Sequence, residues 1–275
     1  MKIAISQAAP VKGDLQKSIA VAVGELKSAA EKGGRLVVFP ECFLTGGCFD
    51  DRESLEAAAI DVNNGALSPI IEVCKNKNMY TAIGFYRKLD GKVLNCAAFI
   101  GPGGVIDYYY KRHLPFMIGD RFSDIPEDKS PAKVYDTELG KIGIAICYEI
   151  RFPEVVRTLA LKGADIVLLL AAWPYEAKLL PEVFTKVRAA ENFVYLVAAN
   201  RADAENDVEF MGMSHIVGPD GSVLEYDSDG DLIISNVDVE KARKKSIIRY
   251  PGVYEIHPFR DRIPESYLVH MEGNK

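Results

Sequence analysis

The chain has little of what most often announces a function. Only five of its 275 residues are cysteine, at Cys42, Cys48, Cys74, Cys96 and Cys147. They are odd in number, scattered and never paired as CxxC, which argues against a disulfide framework or a zinc cage and fits a reducing compartment. The four histidines, His113, His215, His257 and His270, never pair at metal-ligand spacing, so no metal is expected. No stretch approaches the roughly 20 apolar residues of a membrane span, and the apolar run in "MKIAISQAAPVKGD" is too short and too soon interrupted for a secretory signal. A cytoplasmic protein without membrane contact is expected. No run of lysine and arginine offers a phosphate-binding stripe, and the net charge is −6. Nucleic acid is not an expected partner.

What is present is an ordinary globular composition, 48% hydrophobic and 26% charged, enough to bury a sizeable core. No linker rich in Gly, Pro or Ser divides the chain, so residues 1–275 are expected to form a single domain. Strand-like and helix-like segments alternate. "KIAISQA" reads as a strand; Asp14 then caps a helix with apolar positions Leu15, Ile19, Val23, Leu26 and Ala30, and "RLVVFP" reads as a buried strand. The rhythm recurs through "MYTAIGFY", "VLNCAAFIG" and "GVIDYYYK". From about Lys133 a second half begins, with strands "KIGIAIC", "DIVLLLAAW" and "VYLVAAN" separated by helices. This predicts an α/β fold with mixed sheets. The halves share only this broad rhythm, although "FPE" occurs twice, at Phe39–Glu41 and Phe152–Glu154. From Ile247 onward, 247–275, the chain reads as an irregular tail rich in proline and tyrosine, of the kind that packs on a neighbouring subunit.

Three reactive side chains stand where strands end: Glu41, Lys111 and Cys147. Strand ends are where ligands meet α/β scaffolds, because loops there are exposed while the strands stay rigid. Singly, each has a plain alternative: Cys147 as a packed thiol, Glu41 as a solvated carboxylate, Lys111 as part of the surface run "KRH". Together they supply an acyl-transfer site. A glutamate can accept the thiol proton, and a lysine ammonium with the backbone N–H of Tyr148 can hold an oxyanion.

The segments "VVFPECFLTG", "YYKRHLP" and "GIAICYEIRFPEVVRTLALKGADIVLLLAAW" closely resemble the three signature segments of the nitrilase superfamily, the carbon–nitrogen hydrolases. The likeness extends to "VRAAENFVYLVAANR" and "GMSHIVGPDGSVL". The resemblance implies a four-layer α-β-β-α sandwich with two mixed β-sheets and a Glu41–Lys111–Cys147 triad working without cofactor or metal. It also implies a small-molecule amide substrate and association as a homodimer or higher homo-oligomer, through the helices beside Cys147 and the tail. Hydrolysis of a linear amide or N-carbamoyl compound through a cysteine thioester is the leading expectation. Nitrile hydrolysis through a thioimidate is the alternative, and a non-catalytic binding protein retaining the fold a further one. Many members carry a second glutamate after the lysine; here Asp120 stands at the most similar place and Glu127 further on, with Asp120 favoured. Arg151 aligns with a carboxylate-gripping arginine of some carbamoylases, and an ion pair with Glu154 or Glu149 is its structural alternative. Trp173 and Tyr148 are expected to line the pocket.

Overall fold

The computed structural model describes residues 1–129, 132–226 and 232–267. Its first half contains β1 (Lys2–Ser6), α1 (Leu15–Glu31), β2 (Gly34–Val38), α2 (Arg52–Ala58), α3 (Ser68–Lys77), β3 (Tyr80–Leu89), β4 (Lys92–Gly101) and β5 (Gly104–Tyr110). The second contains β6 (Val134–Thr137), β7 (Gly140–Ile146), α4 (Pro153–Leu161), β8 (Ile166–Ala171), α5 (Thr185–Asn192) and β9 (Tyr195–Asn200). A small hairpin, β10 (Ala204–Glu205) with β11 (Val208–Glu209), precedes β12 (His215–Val217) and β13 (Val223–Tyr226). Then β14 (Leu232–Asn236) returns to the first sheet, followed by α6 (Val239–Arg243) and the hairpin β15 (Ile247–Tyr250) with β16 (Tyr254–Ile256).

Local chemistry sets several boundaries. The Asp14 carboxylate accepts from the Lys17 N–H at 3.0 Å and so caps α1. Pro153 opens α4, where its missing N–H costs nothing. The buried stripe of α1 is Ser18, Ile19, Ala22, Leu26 and Ala29, with the expected Leu15, Val23 and Ala30 half-buried at its margin and packed against the same core. Small side chains let the helix lie close on the sheet.

The two six-stranded sheets run β14-β1-β2-β3-β4-β5 and β13-β12-β9-β8-β7-β6. In the first, β1, β2 and β3 are parallel, and β14, β4 and β5 pair antiparallel at the flanks. In the second, β7, β8 and β9 are parallel and β6, β12 and β13 antiparallel. Read from β14 and from β6, the succession of pairings is the same, so the halves share far more than a rhythm. Parallel neighbours need long crossovers, and the helices supply them.

Alternation along the strands separates the layers. Ile3, Ile5, Leu36 and Val38 point into the core shared with Ile142, Ile144 and Leu168, while Ala4 and Val37 face Ile19, Leu26 and Ile70 of the outer helices. The result is the four-layer α-β-β-α sandwich. The tail is more regular than expected at its start, where β15 and β16 pair, with Ile248, Tyr250 and Val253 exposed. Its final residues, 268–275, lie outside the described residues. No described helix is long and apolar enough to cross a membrane.

Candidate active site

Glu41, Lys111 and Cys147 leave three different strands and meet at one end of the sandwich. Glu41 follows β2; its N–H donates to the Ala171 carbonyl of β8 at 3.2 Å, a backbone bond between the two sheets. Gly84 of β3 makes the passage possible, because a Cβ there would stand 2.7 Å from Cys42 N and from Pro40 O. Lys111 follows β5, with its N–H bonded to the Asn95 carbonyl at 2.9 Å. Cys147 follows β7 in the left-handed region, φ 47°, and opens a 3-10 turn, Cys147–Arg151. A non-glycine residue held there stores strain, a feature concentrated at functional sites.

The side chains form one connected cluster. Lys111 Nζ donates to Glu41 Oε1 at 2.7 Å and to Asp120 Oδ2. Asn95 Nδ2 donates to Glu41 Oε1 at 2.7 Å and to Asp120 Oδ1 at 2.8 Å, and Tyr86 OH adds a bond to Asp120 Oδ1 at 3.2 Å. The Cys147 thiol lies beside the Glu41 carboxyl group and the Ala172 N–H, near enough for both to act on its charge. Glu41, Lys111 and Asp120 are buried. Cys147 is half-buried, the least enclosed residue of the cluster.

Burial sets the electrostatics. It raises the Glu41 pKa; the Lys111 charge opposes this and Asp120 reinforces it. Burial disfavours the Lys111 ammonium as well, but Asp120 and Glu41 overcome that cost and hold its pKa well above the usual lysine value. Burial, then the Glu41 charge, pushes the Cys147 thiol well up, only partly offset by Lys111. A thiol pushed up by burial thus lies beside a carboxyl group that is tied to the lysine. Such an arrangement can deprotonate a nucleophile and return the proton within one cavity.

Asp120 takes the place beside Lys111, whereas Glu127 is exposed and pairs with Lys92. Trp173 is 1% exposed, its backbone N–H donating to Asn200 Oδ1 at 2.6 Å, so it is a packed wall rather than an open one. Tyr148 is half-buried and meets the Phe152 ring edge-on, with centroids 5.2 Å apart. Arg151 is exposed and lies over the Phe184 ring at 5.8 Å. Its suggested partner Glu149 is fully buried and occupied by other donors, Tyr109 OH and the Ile146 and Arg112 N–H groups. Among the described residues no group of three or more His, Cys, Asp or Glu is placed to hold a metal ion.

Sequence reasoning missed Asn95, Tyr86 and the bonding of Glu149. A signal existed for Asn95, a polar residue inside the buried strand "VLNCAAFIG". It also missed a clamp on the loop after Glu41. Arg201, 1% exposed, pairs with Glu205 at 2.6 Å, and Glu205 accepts from the Gly47 and Cys48 N–H groups, the latter at 2.8 Å. The Gly47 carbonyl in turn takes the Gly119 N–H at 2.9 Å, next to Asp120.

The chain is similar to known proteins along nearly its whole length. A protein described as a nitrilase from Pyrococcus abyssi is 33% identical over 98% of this chain and 99% of its own length. The N-carbamoylputrescine amidase of Arabidopsis thaliana is 28% identical over 95% of this chain and 93% of its own. A nitrilase-superfamily amidase from Nesterenkonia superposes with a TM-score of 0.78 at 22% identity, covering 89% of this chain and 93% of that one, which shows a shared fold. Residues 2–245 match the carbon-nitrogen hydrolase family over most of the chain. With the sandwich described above, these matches make the chain a member of the carbon-nitrogen hydrolase family.

Proposed function

We propose that the protein hydrolyses a small linear amide or N-carbamoyl compound through a thioester on Cys147. The observation that carries this reading is the single buried cluster in which Lys111 Nζ binds both Glu41 and Asp120, with the Cys147 thiol beside Glu41. Glu41 takes the thiol proton as sulfur attacks the carbonyl carbon. Lys111, with the Tyr148 N–H, balances the charge on the carbonyl oxygen of the tetrahedral intermediate. The C–N bond then breaks, and the leaving nitrogen departs as ammonia or an amine with the proton from Glu41. A water gives a proton to Glu41 and attacks the thioester; the acid leaves, and sulfur recovers its proton. Asp120 holds the ammonium in place throughout. In this reading Trp173 is a packed wall beside the thiol, and the exposed Arg151 is the group that would meet an acidic end of a substrate.

The amide reading is favoured by the Arabidopsis relative, whose name specifies an N-carbamoyl substrate, and by a Nesterenkonia amidase structure with acetamide from fluoroacetamide covalently added at its cysteine. Nitrile hydrolysis through a thioimidate is the second reading, favoured by the Pyrococcus relative's description. We further propose a cytoplasmic homodimer or higher oligomer. The exposed apolar residues Leu161, Val183 and Val187 beside the site, with Ile248 and Val253 of the tail, support that assembly. The test is ammonia release from butyramide, acrylamide, N-carbamoylputrescine and matching nitriles by the wild type and by Cys147→Ala. Release confined to the wild type, with an acyl adduct on Cys147 by intact mass, is expected. Undiminished release by the variant would overturn the reading.

A further inference from the structure

We infer that Glu149 is a positioning residue that sets the distance between the nucleophile and the ammonium, an inference that rests on the proposed function. Glu149 lies two residues after Cys147, is fully buried, and uses both carboxylate oxygens to join the segments that carry the two groups. Its Oε2 accepts from the Ile146 N–H at 2.9 Å, the residue immediately before Cys147, and from Tyr109 OH at 2.6 Å, two residues before Lys111. Its Oε1 accepts from the Arg112 N–H at 3.0 Å, the residue immediately after Lys111, and lies 3.3 Å from His113 Nδ1. One rigid group therefore grips the backbone beside the thiol and both flanks of the lysine.

The arrangement matters because those segments belong to different sheets. β5 is the outermost strand of the first sheet and β7 is an inner strand of the second, with no ladder between them. Without a shared ligand, the gap between Lys111 and Cys147 would follow every small sliding of one sheet on the other. The left-handed backbone of Cys147 also needs an external hold, and the Ile146 bond supplies it next door. Hydrogen bonds to a carboxylate are about twice as strong as neutral ones, so this joint is stiff. A displacement on the order of 1 Å in such a site costs about 100-fold in rate.

The test compares wild type, Glu149→Gln and Tyr109→Phe by the rate at which iodoacetamide alkylates Cys147, read by peptide mass, with thermal melting measured alongside. Glutamine keeps the volume but presents an amide N–H to groups that are themselves donors. Expected are at least about tenfold slower alkylation for Glu149→Gln and about threefold slower for Tyr109→Phe, in proteins that remain folded. In ammonia release from any active amide, kcat should fall with KM nearly unchanged. A merely structural glutamate would lower the melting temperature and leave the rate of the folded protein alone; alkylation at or above the wild-type rate in the folded variants overturns the inference. If Glu149→Gln fails to fold, Tyr109→Phe decides. A wild-type Cys147 no more reactive than the thiol of free glutathione overturns the proposed function instead, whatever the variants do.

Discussion

The two sheets follow the same succession of pairings, yet the Glu41–Lys111 ion pair comes from only one of them. On this correspondence β1 matches β7, β2 matches β8 and β5 matches β13. From the first sheet come Glu41 after β2, Lys111 after β5, and between them Asn95 of β4 and Tyr86 of β3, which face each other across the ladder. At the corresponding strand ends the second sheet places neutral groups. Where β2 leads to Glu41, β8 leads to Trp173, fixed by Asn200. Where β7 leads to Cys147, β1 leads to Gln7, whose Oε1 takes the Ser214 N–H at 3.0 Å. A repeated scaffold has been used asymmetrically: one half holds a compensated charge cluster and the other presents the thiol to it. Keeping opposite charges on one sheet lets each neutralise the other before the nucleophile arrives, which limits the cost of burying them.

The sharpest way to break this comparison is to remove the cation of the charged half. Lys111→Ala strands Glu41 and Asp120 in a buried space, and is expected to lower stability by about 3–5 kcal/mol in urea unfolding. It should also cut turnover by about 100- to 1,000-fold through loss of the oxyanion donor. Gly84→Ala attacks the same half through the backbone, since the new methyl would press on Pro40, Glu41 and Cys42. Turnover about 100-fold lower and a loss of about 1–3 kcal/mol are expected, measured by kcat and by chemical denaturation.

Asp120→Asn sharpens the comparison by changing charge while keeping shape. Asp120 helps to raise the Glu41 pKa, so its removal lowers it, and the acid limb of kcat/KM moves to lower pH. A pH–rate profile should show that shift together with a loss of about tenfold in kcat, because Lys111 loses one of two anchors. A limb moving to higher pH would contradict the assignment of that limb to Glu41. The smallest expected effect on activity lies in the neutral half. Asn200→Ala removes the acceptor of the Trp173 backbone N–H and the donor to the Gly212 carbonyl. A cost of about 1–3 kcal/mol with turnover changed less than about tenfold would mark the second sheet's polar residues as scaffold.

Legibility differed by residue. Glu41, Lys111 and Cys147 were readable because each sits at the end of an apolar run, where composition changes abruptly. Asp14 as a cap and Pro153 as a helix start were readable for the same local reason. Asn95 was passed over as part of a buried strand; its value comes from lying beside β3 and β5 at once, a relation spread from residue 80 to 111. The suggested Arg151–Glu149 pair failed because Glu149 turns inward to Tyr109 and Arg112, donors about 40 residues away in sequence. Nothing in a window around Cys147 reports those partners.

What the sequence determined by itself was therefore local: alternating elements, capped helices, apolar strands and the reactive residues at their ends, since these follow from backbone propensity and the burial of neighbouring side chains. Tertiary structure alone decided that the halves share one pairing order, that Asp120 rather than Glu127 meets Lys111, and that Asn95 and Glu149 tie the cluster together. Those relations depend on which strands become neighbours and in what register. That choice is made by the packing of whole sheets and layers, whose energy is summed over contacts far apart in the chain.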